Sequence, residues 1–193
     1  MTAITRLYDS YAHAQIVIRD LKAAGIADSD ISVVANPTAA GIEEETSNTA
    51  TGATLGAVAG GGAGLLAGLG MMAIPGVGPV VAAGWLAATL AGAAAGAASG
   101  GIIGALTEIG HTPEDAELYA EGLRRGGTLV TVRPASRRES EVTVIMDRSH
   151  PVDTGLRRDE YRKAGWSGFD PKAAPPKMSD VERDRMRQTM SRD

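Results

Sequence analysis

The chain has 193 residues, among them 25 Gly, no Cys and a single Phe, a length that suits one or two small domains. The lack of Cys excludes a disulfide framework, a thiolate metal site and a Cys nucleophile, and three scattered histidines (His13, His111, His150) leave little material for a zinc site. A net charge of −4 gives no electrostatic reason to expect a nucleic-acid partner.

The opening residues, MTAITRLYDSYAHAQ, have no basic start followed by a long apolar core, so they are expected to be mature structure rather than a secretory signal. Ile4 and Leu7 alternate with polar neighbours over Thr2 to Tyr8, which predicts a short strand. Asp9 or Ser10 can cap the helix that follows. On that helix Ala14, Val17, Ile18 and Leu21 share one apolar face, and Gly25 stands where a helix stops. Ile31 to Ala35 is a second strand, closed by Asn36-Pro37. Residues 1–36 are thus the first βαβ half of an α+β domain, and 37–50 a polar linker.

Charge then disappears. Between Glu45 and Glu108 lie 62 residues without a charged group, and residues 51–108 hold 16 of the 25 Gly. Their spacing is regular: Gly52, Gly56, Gly60, Gly64 and Gly68, then Gly84, Ala88, Gly92, Gly96, Gly100 and Gly104. A four-residue period puts small residues in one stripe on a helix, where two backbones can approach closely, as in a glycine zipper. Pro75, Gly76, Gly78 and Pro79 form a turn between the two ladders. Residues 51–108 are therefore expected to be a hydrophobic helical hairpin, with helices over 52–74 and 80–106. At 1.5 Å per residue these are roughly 34 and 40 Å long, enough for a bilayer, and Trp85 falls where an interfacial aromatic would sit. The leading expectation is a membrane hairpin with the lipid bilayer and copies of itself as partners, and both flanks on the cytoplasmic side of a bacterial inner membrane. The alternative is a soluble, cytoplasmic homo-oligomer with the hairpins buried inside, because Gly and Ala carry little transfer energy and 91–101 has few large hydrophobes.

The second half of the domain, 109–155, opens with Thr112 as N-cap, Pro113 at N1 and acidic residues in the first turn. Ala116, Tyr119, Ala120 and Leu123 make that helix's apolar face, Gly126-Gly127 end it, and Thr128 to Val132 is a strand. Residues 136–150 have β-branched strand character. The pattern Ser136-x-x-Glu139 and the face Val142, Ile145, Met146 favour a helix instead, followed by a short strand near Val152-Asp153-Thr154. The resulting plan is close to a split βαβ, or ferredoxin-like, domain interrupted by the hairpin. In the mostly irregular or helical tail, 156–193, Tyr161, Trp166 and Phe169 are expected to anchor the tail on the domain, with a partner-binding motif as the alternative.

Chemical motifs are sparse. Gly62 to Ala67 matches G-x-G-x-x-A, but no strand precedes it and no acidic residue follows at the distance a ribose contact requires. No phosphate-binding loop and no calcium loop is present, and no nucleophile–base–acid set is assembled. No enzymatic activity, catalytic residue, cofactor, metal or nucleic acid is expected, and a small-ligand-sensing βαβ module remains a further alternative whose ligand is unknown.

The segments Ala3 to Asp9, Asp30 to Val34, Ala73 to Pro79 and Tyr119 to Val130 together resemble the bacterial general stress proteins (17M-like, also called heat-induced stress proteins), over roughly residues 3–135. The residues from Gly165 to Pro171 are similar to a tail that accompanies some members. This resemblance implies a stress-related protein and carries over no active-site residue.

Overall fold

The computed structural model describes residues 3–37, 70–74, 77–95 and 101–172. Five strands, β1 (Ile4–Tyr8), β2 (Ile31–Ala35), β3 (Gly70–Ile74), β4 (Gly78–Ala83) and β5 (Thr128–Val132), form one sheet in the order β1-β5-β2-β4-β3. Every neighbouring pair is antiparallel. The helices are α1 (Tyr11–Ala23), α2 (Trp85–Ala95), α3 (Gly101–Glu108), α4 (Pro113–Arg124), α5 (Glu139–Arg148) and α6 (Thr154–Lys163). The fold is therefore α+β, with β5 standing between the parallel strands β1 and β2.

Side chains alternate across the strands and so build two cores, one on each face. On one face Leu7, Leu129 and Val34 lie in register across β1, β5 and β2, and Ala82 of β4 continues the row. They are sealed by Leu86 and Leu90 of α2, Ile102 and Leu106 of α3, and Tyr119 and Leu123 of α4. On the other face Val130, Val33 and Ala83 meet Val17 and Leu21 of α1 and Val142 and Met146 of α5. Each fully buried Leu in these layers contributes about 1.5–3 kcal/mol. Tyr8 reaches across the second core, and its hydroxyl donates to Met146 O at 2.8 Å. The same burial raises the Tyr8 pKa well above its ordinary value.

The helices begin where short polar residues can cap them. The Ser10 hydroxyl accepts from Ala12 N at 3.1 Å, Thr112 accepts from Asp115 N at 3.2 Å, and Asp153 accepts from Leu156 N at 2.9 Å. The last of these corrects the strand expected near Val152–Thr154. Asp153 turns the chain into α6, and all that remains of strand pairing is one bond, Val152 N to Leu7 O at 2.8 Å. Residues 139–148 are the helix favoured for that segment, but Ser136 does not cap it: a 3-10 turn at Ser136–Arg138 intervenes, and Arg138 stands at the helix start with no side-chain cap bond.

The largest correction concerns the charge-free stretch. Gly70–Ile74 and Gly78–Ala83 are strands, although the first ends the helix expected over 52–74 and the second runs from the expected turn into the helix expected over 80–106. The turn is where Pro75–Pro79 placed it, but it closes a β-hairpin: Val77 N donates to Ile74 O at 3.0 Å, and Gly78 follows at φ +97°. Met71, Met72, Ile74, Val77, Val80 and Val81 interrupt the Gly/Ala pattern here, and β-branched residues fit a pleated surface better than a small-residue helix. The helix expected over 80–106 is thus divided into β4, α2 and α3. Among the described residues no helix is long and apolar enough to cross a membrane.

Gly84 makes the corner from β4 into α2. Its φ is +86°, and a Cβ there would lie 2.2 Å from Ile31 O and 2.5 Å from Ser32 Oγ. No side chain fits, and the closeness has a use: Ser32 Oγ accepts from Leu86 N at 2.8 Å, so β2 supplies a cap for the next helix. Gly84→Ala is expected to destabilise the domain by more than Gly25→Ala. The latter keeps only the backbone strain of about 1–3 kcal/mol, since nothing lies within 4 Å of a Cβ at Gly25. Urea unfolding of the two variants measures the difference, and equal midpoints would contradict the close-approach account.

Candidate functional site

Two polar clusters interrupt the apolar layers. The first runs across the sheet face beneath α2, α3 and α4. Thr5, Thr131 and Ser32 stand in register on β1, β5 and β2 and are buried. Thr5 Oγ1 and Thr131 Oγ1 are 3.2 Å apart, and His111 Nε2 lies 2.7 Å from Thr5 Oγ1. The α3–α4 corner holds His111, whose ring also meets the edge of Tyr119 with centroids 5.5 Å apart. Burial lowers the His111 pKa, the Asp115 carboxylate pulls it back up, and the Arg6 guanidinium lowers it again. A His beside a Thr hydroxyl has the composition of a base and a nucleophile. Thr5 is 1% exposed, and its bond to His111 ties the α3–α4 corner to the sheet as a polar latch.

The second cluster lies on α4. Glu121 is fully buried and paired with the guanidinium of Arg124 and, at 2.7 Å, with that of Arg125. These arginines hold α6 and the residues that follow it. Arg124 lies 5.2 Å from the Phe169 ring centroid and donates to Asp170 O at 3.2 Å. Arg125 lies 4.2 Å over Tyr161, which meets Trp166 edge-on at 5.9 Å. Arg157 binds both oxygens of Asp9, at 2.7 and 2.8 Å. Of the expected tail residues, Tyr161 is buried and lies under Arg125, Phe169 packs on the first core, and Trp166 meets Tyr161.

Of the expected packing residues, Gly84, Ala88, Gly92 and Gly104 fall within the described residues. Gly52, Gly56, Gly60, Gly64, Gly68, Gly96 and Gly100 lie outside the described residues, as do Pro75 and Gly76 of the turn. Gly84 is the corner described above, Ala88 is exposed on α2, Gly92 lies in α2, Gly104 is half-buried on α3, and Gly78 and Pro79 begin β4. Trp85, expected at a lipid interface, is held by protein: its Nε1 donates to Asp30 O at 3.3 Å, and the Arg133 guanidinium stacks 4.2 Å over its ring. A groove between α1 and α5 is lined by Asp20, Ala24, Glu141, Val144 and Arg148, but Asp20 is already paired with Arg19 and Glu141 with Arg138. Among the described residues no three His, Asp or Glu side chains gather to hold a metal ion.

Sequence reasoning missed both clusters. The signal for the second is the i, i+3 and i, i+4 spacing of Glu121, Arg124 and Arg125, which is common on solvated helices and acquires meaning only through burial. The signal for the first is a hydroxyl in each of three strands, between apolar neighbours at Ser32 and Thr131 and between Ile4 and Arg6 at Thr5. No family model matches the chain, and neither the curated proteins nor the solved structures contain a match to it.

Two outcomes follow from these clusters. A His held neutral binds fewer protons folded than unfolded, so His111 contributes stability above its unfolded pKa of about 6.5 that is lost as pH falls below it, at no more than about 1.4 kcal/mol per pH unit. His111→Gln is expected to flatten the fall in urea midpoint between about pH 6.5 and 5, and an unchanged slope would contradict the latch. Glu121→Ala leaves two guanidinium groups without their buried partner and is expected to cost about 3–5 kcal/mol. Tryptic cleavage between Arg162 and Lys172 is expected to accelerate with it.

Proposed function

We propose that this chain is a non-enzymatic stress-response protein whose α+β domain presents the charge-free Gly/Ala segment for self-association. The observation that carries this reading is that the second half of the charge-free stretch is built into the sheet as β3 and β4 and packed on it as α2 and α3. A two-span membrane hairpin would need β3 to complete its first span and β4, α2 and α3 for its second. The first ladder, Gly52 to Gly68, keeps its small-residue period and its lack of charge, and a second copy is the partner whose ladder it matches. The stress-response assignment rests on the resemblance of residues 3–135 to the general stress proteins.

The same reading takes the domain as a ferredoxin-like, split βαβ plan extended by the β3–β4 hairpin. The position of β5 between parallel β1 and β2 supports it. Both polar clusters are sealed within the domain or already paired, which favours a structural role for them over chemistry.

The full chain, fractionated and sedimented without detergent, is expected in the soluble fraction at a multiple of its 19.8 kDa mass. Gly60→Leu is expected to reduce that multiple, because Cβ groups hold the backbones apart. Recovery only with membranes, or a monomer at every concentration, would overturn the proposal. Gly96→Leu, on the second ladder, is expected to act in the same direction.

A further inference from the structure

The sheet's two edges, β1 and β3, are finished differently. On β1, Arg6 carries a charge paired with Asp147 at 2.8 Å, and Val152 covers part of the strand by donating its amide to Leu7 O. Edge strands are ordinarily protected in these ways, by charge, proline or a covering segment, because their unpaired amides and carbonyls are templates for another strand. β3 reads Gly70-Met71-Met72-Ala73-Ile74, with no charge and no proline, and among the described residues it pairs with β4 alone.

The backbone of such an edge selects a strand as its occupant, and its sequence selects which strand. Antiparallel pairing about a two-fold axis sets each residue of β3 opposite a residue of the same five-residue segment in a second copy. A charge at the central residue would then face its own copy, and a charge elsewhere in the segment would meet no counter-charge. β3 lies within 62 residues that carry no charge, so pairing with itself brings no like charges together, while a charged partner strand would find no counter-charge. We infer that β3 is a homodimerisation edge, joining the sheets of two copies into one continuous sheet by antiparallel pairing centred on Met72. The inference rests on the self-association reading and adds to the Gly ladder a second contact between copies.

Pairing centred on Met72 sets residue 72 opposite its own copy, which makes a charge-exchange test possible in the full chain. Met72→Lys and Met72→Glu are each expected to sediment one association step below the wild type with unchanged far-UV circular dichroism. An equimolar mixture is expected to regain the wild-type species. Retention of wild-type size by either variant, or failure of the mixture to recover it, would overturn the inference. Should a variant not fold, amide exchange in the wild type decides. Protection over Gly70–Ile74 is expected to rise as the protein is concentrated 100-fold. Protection independent of concentration would mean that the chain covers its own edge, and would overturn the inference. Gly60→Leu separates this from the Gly/Ala ladder: if that variant keeps wild-type size while the Lys and Glu variants still require each other, the ladder fails and the edge stands.

Discussion

Leu129 of β5 lies between Leu7 of β1 and Val34 of β2, and the three buried side chains form the row on which the first core is laid. Leu7 and Val34 come from the N-terminal end of the chain, Leu129 from beyond residue 125. Placing β5 between β1 and β2 therefore closes the chain around everything in between, including the whole charge-free stretch. Loop-closure entropy grows only slowly with length, so a long intervening segment is tolerated once this row is buried. The same insertion sets Thr131 beside Thr5 and Ser32, which creates the buried hydroxyl row against which His111 docks.

The charge-free stretch serves two structural ends. Its later part extends the sheet beyond β2, and Ala82 and Ala83 of β4 continue the core rows of both faces. Gly84 then lets the chain turn against β2 so closely that Ser32 caps α2. Lack of charge here is a requirement of burial: β4 and the inner side of α2 stand in the core, where an unpaired ionised group would be expensive. The earlier part, with its unbroken four-residue period of Gly, has no such explanation from the sheet, and it is this part that the proposed self-association uses.

Local signals placed most of the domain correctly. β2 and β5 were legible to the residue from their β-branched runs, and α1 and α4 from their apolar faces and caps. Helix 139–148 was legible from its apolar face, although its expected cap was not realised. The failure lay where composition overrode local preference. A period of Gly and Ala spanning more than fifty residues suggests two helices, whereas the cluster from Met71 to Val81 inside it, with Pro and Gly at its turn, is a hairpin. Periodicity cannot tell a short apolar strand from a piece of buried helix, and only pairing with β2 decides between them. The Glu121 cluster is hidden for a related reason: its spacing suits a solvated helix, and its burial beside Arg124, which binds Asp170 O, is a property of the tertiary packing.

The account depends on Val80–Ala83 being strand, hydrogen-bonded to β2, in the protein free of lipid. Residue-resolved amide exchange of the full chain, without detergent and again with phospholipid vesicles, measures this directly. The expected result is slow exchange over Val80–Ala83 in both conditions, on the scale of the β2 and β5 amides. Rapid exchange that becomes slow only when vesicles are added would show that these residues acquire their structure in the membrane, and would contradict the account.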